Sequence, residues 1–301
     1  MTSMQTRRYL KQTVFVALNC VTGMTAALQL TESIDPVIVQ HHVGKIIFVE
    51  LLTPDLAASR QFYSSMFGWT YQTTTNGGSD YVEAWLNGSR VAGLQYKAQS
   101  VGRLRQPVWL NFMAVRNVDA ARVTALQHGG KVLFEPHNIP DRGREAVFSD
   151  PQGAVFAVLA AGCGDPPDEL ADPGEWIWSS LITTNADTNA AFYQQLFDYD
   201  VVDLSTDDDA EHLILASENY ARASVNTLPV NGQPVRPHWI NFIRVDDTVK
   251  MTEKLRVLGG QVLVEPRLDR HGGKVALVAD PLGTPFGLIE WTDTQIIEVA
   301  K

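Results

Sequence analysis

The chain is similar to itself when it is shifted by 130 residues. Aromatic and turn-forming anchors coincide at this one offset: Phe62-Tyr63 falls on Phe192-Tyr193, Trp109 on Trp239, Gly129-Gly130 on Gly259-Gly260, and Asp150-Pro151 on Asp280-Pro281. Solenoid repeats have periods of roughly 20–50 residues, so a period this long indicates duplication of a whole domain. A chain of 301 residues is long enough for two domains, each with a core of its own.

Glycines and prolines are concentrated between the two repeats, in residues 162–175. This composition is typical of a linker, because both residue types interrupt helices and strands. We therefore expect a first domain at residues 43–161 and a second at residues 176–293.

Each repeat is predicted to contain two β-α-β-β-β units. In the first repeat a strand-like run at residues 46–52 is followed by a helix-start signal at Asp55, by apolar residues at helical spacing, and by a stop at Gly68. After three short strands the pattern begins again, with a strand at residues 108–115 and a helix at residues 118–128. The duplicated pattern predicts the same elements in the second repeat.

The first 30 residues have the parts of an export signal. A basic start at Arg7 and Arg8 precedes an apolar stretch at residues 14–30 with a small residue at Ala27. Polar residues interrupt this stretch, so it falls short of the roughly 18 predominantly apolar residues that a membrane-spanning helix needs. We expect residues 1–30 to be cleaved and the mature protein to have no integral membrane span.

The basic start also suggests a route of export. Residues 6–11 resemble the twin-arginine signal, which carries folded proteins across a membrane. Cys20 offers an alternative, because a cysteine late in an export signal can be lipidated, although Asn19 stands where a small residue is usual. Both routes place the protein in the periplasm or elsewhere in the cell envelope.

Charge and motifs exclude several kinds of partner. The formal net charge of −10 disfavours binding to nucleic acid, which requires clustered lysine and arginine. The chain has no phosphate-cradling loop, dinucleotide fingerprint or nucleophile elbow, so no cofactor is expected. A small-molecule ligand is the expected partner, and a homo-oligomer is left open.

The motifs resemble those of a known superfamily. Residues 55–63, the Phe67-Gly68-Trp69 run that follows, and the closing residues 150–154 are similar to the vicinal oxygen chelate superfamily, which includes glyoxalase I, extradiol dioxygenases and bleomycin-binding proteins. The resemblance covers both repeats and implies an α+β fold, in which each pair of β-α-β-β-β units curls into a cup-shaped mixed sheet. In detail the chain looks most similar to a tandem-domain branch without a settled activity.

The resemblance also implies where a divalent metal would be held in each cup. The implied ligand positions are Phe48, Leu110 and Ala157 in the first repeat, and Trp178, Ile240 and Gly287 in the second. Catalytic metals need nitrogen, oxygen or sulfur donors, and none of these side chains supplies one. We therefore expect no metal, and elemental analysis of untagged protein should find no stoichiometric transition metal.

Residues at and around these positions are the candidates for a ligand pocket: Phe48, Glu50, Trp85, Leu110, Phe112, Ala157, Trp178, Ser180, Ile240, Phe242 and Gly287. Glu50 is the candidate catalytic residue, because it shares a strand face with Phe48 and would be partly desolvated, as general bases often are. The alternative is that Glu50 pairs with Arg142 or Arg144 and only closes the cup.

Three functions are compatible with this pattern. The first is an exported protein that binds a small apolar or aromatic molecule without a metal. The second is an enzyme of the same superfamily, of lyase, isomerase or oxygenase type, which uses unrecognised metal ligands or acts without metal through Glu50. The third is an interaction module with no small ligand, and filled cups would favour it.

Export makes a prediction about the mature N-terminus. Mass spectrometry of the native protein should show the loss of about the first 27 residues, because the basic, apolar and small segments of residues 7–27 follow the order of a cleaved signal. Soluble cytoplasmic protein with an intact Met1 would contradict export. A lipid on Cys20 would replace simple cleavage by lipoprotein processing.

Overall fold

The structure is a computed structural model that describes residues 40–74, 80–98, 107–205, 211–227, 236–269 and 272–291. The predicted export segment, residues 1–30, lies outside these ranges. All described residues belong to one compact unit, residues 39–301. None of the helices in the described ranges is long and apolar enough to cross a membrane.

Within the residues that the structure describes, each repeat has eight strands and two helices. The elements of the first repeat are β1 (Ile46–Thr53), α1 (Leu56–Phe67), β2 (Thr70–Thr73), β3 (Tyr81–Leu86), β4 (Ser89–Tyr96), β5 (Val108–Ala114), α2 (Val118–Gln127), β6 (Lys131–Ile139), β7 (Gly143–Ser149) and β8 (Val155–Ala161). Those of the second are β9 (Trp176–Thr183), α3 (Ala186–Phe197), β10 (Asp200–Asp203), β11 (His212–Ser217), β12 (Tyr220–Thr227), β13 (His238–Arg244), α4 (Thr248–Val257), β14 (Gln261–Leu268), β15 (Lys274–Ala279) and β16 (Pro285–Ile289).

Local sequence signals set the helix ends. The Asp55 side chain accepts a hydrogen bond from the backbone N–H of Ala58 and caps α1, and asparagine or aspartate caps the other three helices in the same way. Gly68 ends α1 in the left-handed conformation, with φ of 78°, which glycine adopts without steric cost. Helix α3 ends at Asp198 in the same conformation.

The strands of each repeat form one mixed sheet. The order in the first repeat is β2-β3-β4-β1-β5-β8-β7-β6, and the second repeat reproduces it as β10-β11-β12-β9-β13-β16-β15-β14. In the first sheet β1 and β5 pair antiparallel at the centre, and each pairs parallel with the last strand of its own unit. The predicted α+β fold, two tandem sheets each built from two β-α-β-β-β units, is confirmed.

The hydrophobic cores are shared between the repeats, which differs from the expectation that each domain has its own. One core joins the second unit of repeat 1 to the first unit of repeat 2, through residues such as Phe148, Phe156, Phe192 and Leu215. The other joins the first unit of repeat 1 to the second unit of repeat 2. Separating the repeats would expose both cores, at roughly 1.5–3 kcal/mol for each large apolar side chain.

Two buried hydrogen-bonded chains cross the boundary between the repeats. The Trp109 indole donates to the Tyr63 hydroxyl at 3.0 Å, and Tyr63 donates to the Asp280 carboxylate of the other repeat at 3.1 Å. In the equivalent chain Trp239 donates to Tyr193, and Tyr193 donates to Asp150. The aromatic and Asp-Pro anchors of the sequence repeat are therefore the residues that hold the two repeats together.

Replacing Tyr63 by Phe should lower the free energy of unfolding by about 1–3 kcal/mol, because Trp109 loses its acceptor and Asp280 loses a donor in a buried setting. Tyr193→Phe should cost a similar amount. Tyr220→Phe is the matched control, because Tyr220 is exposed, and it should change stability by less than about 0.5 kcal/mol. Urea unfolding measures the free energy of unfolding of all three variants. If neither Tyr63→Phe nor Tyr193→Phe lowered it, the structural role of these hydrogen bonds would be contradicted.

Candidate functional site

A cavity opens on the concave face of the first sheet. Its volume is about 850 Å³, within the size range of small-molecule sites. The lining includes acidic, basic, aromatic and aliphatic side chains: Glu50, Leu52, Thr73, Thr74, Tyr81, Glu83, Arg90, Gln95, Tyr96, Lys97, Leu110, Phe112, Phe134, His137, Ile139, Pro140, Asp141, Arg142, Glu145 and Val147. We call this cavity the first cup.

Strand alternation explains which side chains reach the first cup. Glu50 lies opposite Leu110 on one neighbouring strand and opposite Gly93 on the other, so these positions share one face of the sheet. The face continues through Phe112, which lies opposite Ala157. A side chain at Gly93 would collide with the Tyr81 hydroxyl, so this glycine makes room for a tyrosine beside Glu50.

An ion cluster stands on the wall of the first cup. The Nη1 atom of Arg142 donates to Glu50 at 3.0 Å, and its Nε atom lies 3.2 Å from a Glu145 oxygen. The guanidinium also covers two aromatic rings, with its carbon 4.1 Å from the Phe112 centroid and 4.6 Å from that of Phe48. Arg142 thus joins both carboxylates to the aromatic floor.

Burial and charge act against each other in this cluster. Burial raises the pKa of Glu145, while the attraction of Arg142 opposes that rise. Burial acts to lower the pKa of Arg142, but Glu50 and Glu145 outweigh it and hold that pKa above its ordinary value. The guanidinium therefore stays charged.

His137 connects Glu145 with solvent. Its Nδ1 atom lies 2.9 Å from the backbone carbonyl oxygen of Glu135, so Nδ1 carries the proton. The other ring nitrogen, Nε2, lies 3.7 Å from Glu145. Because the imidazole is half exposed, it places Glu145 within one side chain of bulk water.

The concave face of the second sheet, the second cup, is packed with apolar side chains. Ile182, Ile240, Phe242 and Ile289 form its cluster, and Trp178 stacks on Trp291 beside it. Gly287 admits the Phe242 ring, since a methyl group at this position would lie 2.0 Å from that ring. The Trp178 indole donates to Ser224, and Ser224 bonds Ser180 at 2.7 Å.

A smaller cavity of about 280 Å³ lies beneath the linker, against Trp176, Trp178 and Trp291. The linker residue Asp168 closes it, because its carboxylate binds both Lys45 and Arg222. The pairing of Asp168 with Lys45 and Arg222 favours a structural role for these three residues.

The sequence-predicted pocket residues divide between the cups. Glu50, Leu110 and Phe112 line the first cup, while Phe48 and Ala157 belong to the apolar cluster beneath it. Trp85 lies on β3, opposite Arg90 of β4, and is not among the residues that line the first cup. In the second repeat Trp178 lines the smaller cavity, whereas Ser180, Ile240, Phe242 and Gly287 lie in the packed interior of the second cup.

The sequence did not identify Glu145 and His137 as site residues, and it named Arg142 only as a partner for Glu50. Strand alternation could have placed Glu145 on the cup face, because it stands two residues before Val147 on β7. No periodic signal could have placed Arg142, which lies in the turn before that strand.

Family models match both repeats. A model described as "Glyoxalase/Bleomycin resistance protein/Dioxygenase superfamily" matches residues 40–158, and a model described as "Glyoxalase-like domain" matches residues 179–289. The chain is 31% identical over 259 residues to the protein named "Putative glyoxylase CFP32" of Mycobacterium tuberculosis, covering 83% of this chain and 96% of that protein. It is 28% identical to the anthracycline biosynthesis protein DauV of a Streptomyces species, covering 82% and 93%.

Solved structures share the fold at low sequence identity. The Mn(II)-bound glyoxalase from Novosphingobium aromaticivorans matches with a TM-score of 0.58 and 20% identity, covering 83% of each chain. Homoprotocatechuate 2,3-dioxygenase from B. fuscum matches with a TM-score of 0.61 and 14% identity, covering 85% of this chain and 73% of that one.

Replacing Arg142 by Met should destabilise the protein by about 3 kcal/mol at pH 7, because it leaves Glu50 and Glu145 buried without their cation. Without the guanidinium the folded-state pKa of Glu145 rises further above its unfolded value, so folding takes up protons. The variant should therefore be closest to wild type at low pH and lose stability as the pH rises. Urea unfolding at pH 5 and pH 8 measures this, and an equal loss at both would contradict it.

Proposed function

Because the chain belongs to the glyoxalase/bleomycin resistance protein/dioxygenase superfamily, we propose that it binds a small planar aromatic molecule in the first cup without a metal. The observation that carries the proposal is an open cavity of about 850 Å³ whose ion cluster stands over aromatic rings.

The residues at the family's metal positions do not fit a metal. In the first repeat Phe48, Leu110 and Ala157 belong to one apolar cluster, and the Arg142 guanidinium stands over the Phe48 ring. A divalent ion there would lose water without gaining donors and would lie beside a fixed positive charge. In the second repeat an indole, an isoleucine and a glycine stand at these positions.

The lining chemistry indicates the ligand class. Phe112, Phe134 and Tyr96 offer aromatic and apolar surface, which favours a flat conjugated ring system. Arg142 and Glu145 stand side by side as a donor and an acceptor. A hydroxyl group next to a carbonyl group on the ligand would match this pair. Two relatives are named anthracycline biosynthesis proteins, and anthracyclines are fused-ring aromatic compounds, which agrees with this class.

An enzyme that moves a proton on such a ligand is the second candidate. Glu145 and His137 favour it, since a carboxyl group with a raised pKa lies 3.7 Å from an imidazole that reaches solvent. Glu50, the base expected from the sequence, is held in its ion pair with Arg142. Export to the cell envelope stays part of the proposal and is tested by the mature N-terminus.

The test of binding uses 1,8-dihydroxyanthraquinone, which is flat and carries hydroxyl groups beside a carbonyl group. Wild-type protein should show saturable binding by quenching of tryptophan fluorescence, with a higher melting temperature, since a ligand at 100 times its dissociation constant adds about 2.7 kcal/mol. Leu52→Trp narrows the first cup and should weaken binding at least about tenfold, or 1.4 kcal/mol.

Leu204→Trp is the control, because Leu204 is exposed in the other repeat and does not line the first cup. It should bind like wild type. If Leu52→Trp left the affinity unchanged, the binding site would lie outside the first cup. Absence of binding for this probe and for a wider panel of polycyclic aromatics would remove the proposal.

A further inference from the structure

One cation that lines the first cup has no carboxylate partner among the residues that the structure describes. Arg142 is paired with two carboxylates, and Arg90 pairs with Glu83 at 2.9 Å. Lys97 lines the same cavity, but its ammonium group forms no ion pair with any described residue and lies beside an aromatic ring instead. Its charge is therefore available to a ligand.

The sheet places Lys97 on the face that lines the first cup. On β4, Gln95 lies opposite Leu52 of β1, and both residues line the cavity. Lys97 is two residues further along, so strand alternation gives it the same face as Gln95. Its backbone N–H donates to the carbonyl oxygen of Thr53 at 2.7 Å, which continues the pairing of β4 with β1. The main chain thus fixes where this lysine begins.

The Lys97 side chain closes one part of the rim of the cup. Its ammonium nitrogen lies 5.4 Å from the centroid of the Phe134 ring, which belongs to the edge strand β6. Four strands separate β4 from β6 in the sheet order, so these two side chains meet because the sheet curls. Phe134 is half exposed. A charged group bound at this point can keep contact with water while an attached ring system enters the cup.

Partial burial without a counter-charge favours an anion beside Lys97. Burial lowers the pKa of Lys97 below its ordinary value, and no neighbouring charge opposes that effect. An anion next to the ammonium group replaces the hydration that burial removes, and opposite charges attract more strongly where water is partly excluded. The formal net charge of the chain is −10, so any preference for an anion must come from a local cation of this kind.

The second repeat forms the same sheet without this pair of residues. At the shift of 130 residues, Lys97 corresponds to Thr227 and Phe134 corresponds to Val264. The order of strands is the same in both sheets, so neither the lysine nor the phenylalanine is needed to form the fold. This difference supports a role for the pair in the cavity of the first cup.

We propose that the first cup selects planar aromatic molecules that carry a carboxylate, and that Lys97 is the residue that binds the carboxylate at the rim. The inference rests on the proposed function and adds the charge of the ligand to it. In this arrangement Arg142 and Glu145 meet the hydroxyl and carbonyl groups of the ligand, and the carboxylate lies at another edge of the ring system.

The experiment compares two ligands that differ at one position of the same ring system. The first is 1,8-dihydroxyanthraquinone-3-carboxylic acid, which is an anion at pH 7. The second is 1,8-dihydroxy-3-(hydroxymethyl)anthraquinone, which is neutral. In titrations of the full chain at low ionic strength, followed by tryptophan fluorescence, the wild-type protein should bind the acid at least about fivefold more tightly, since an ion pair at a partly buried site gains more than one on the surface.

Variants of Lys97 test which cation is responsible. Lys97→Met keeps the apolar stem without the charge and should bind both compounds with about equal affinity, whereas Lys97→Arg should retain the preference for the acid. Lys131→Met is the matched control and should behave like wild type, because Lys131 is exposed on β6 and does not line the first cup. Circular dichroism should show an unchanged fold for Lys97→Met, and Lys97→Gln provides the same comparison if that variant unfolds.

The outcomes separate this inference from the proposed function. If the neutral compound binds and the acid binds no more tightly, the inference is overturned while aromatic binding stands. A preference for the acid that persists in both uncharged variants of Lys97 also overturns it. If neither compound binds, both the inference and the proposed function are removed.

Discussion

The structure depends on the packing of each repeat against the other. Each of the two large hydrophobic cores contains buried residues from both repeats. Neither repeat therefore completes a large core alone. Hydrogen bonds add to this apolar packing, because Tyr63 donates to Asp280 and Tyr193 donates to Asp150 across the boundary between the repeats. These carboxylates are buried, and burial raises the pKa of each against the effect of the backbone N–H groups that bind it. An unmatched carboxylate at such a depth would be costly, so the pairing fixes how the repeats fit together.

The concave faces of the two sheets lie outside the shared cores. Their side chains can therefore differ between the repeats without disturbing the packing of one repeat against the other. The first cup has an open cavity and a guanidinium between two carboxylates. The second has an apolar cluster, in which Gly287 makes room for the Phe242 ring. Two copies of one strand order therefore carry different chemistry. The difference resides in a few inward-facing positions, as expected when function is grafted on a fold.

The helices, the strands and their order could be predicted from the sequence. The sharing of the hydrophobic cores between the repeats could not. Helix ends follow from local signals such as Asp55 and Gly68, and strand faces follow from alternation. The repeat anchors Tyr63 and Asp150 were visible, but a self-comparison cannot show whether such residues contact their own repeat or the other. The cup wall was predictable at Glu50, which lies on a strand. Arg142 lies in a turn, where no periodicity specifies the direction of a side chain, and its role emerges only in three dimensions.

The Tyr63 and Asp280 contact joins residues 217 positions apart. During synthesis the first repeat emerges from the ribosome well before the residues that cover it are made. The helix-bearing face of its first unit must then stay exposed to other chains and to chaperones until the last unit of the second repeat appears. Non-local contacts of this kind slow folding, because the entropy of closing a long loop is lost before the contact forms. Duplication thus yielded a single cooperative unit whose assembly waits for its C-terminal quarter.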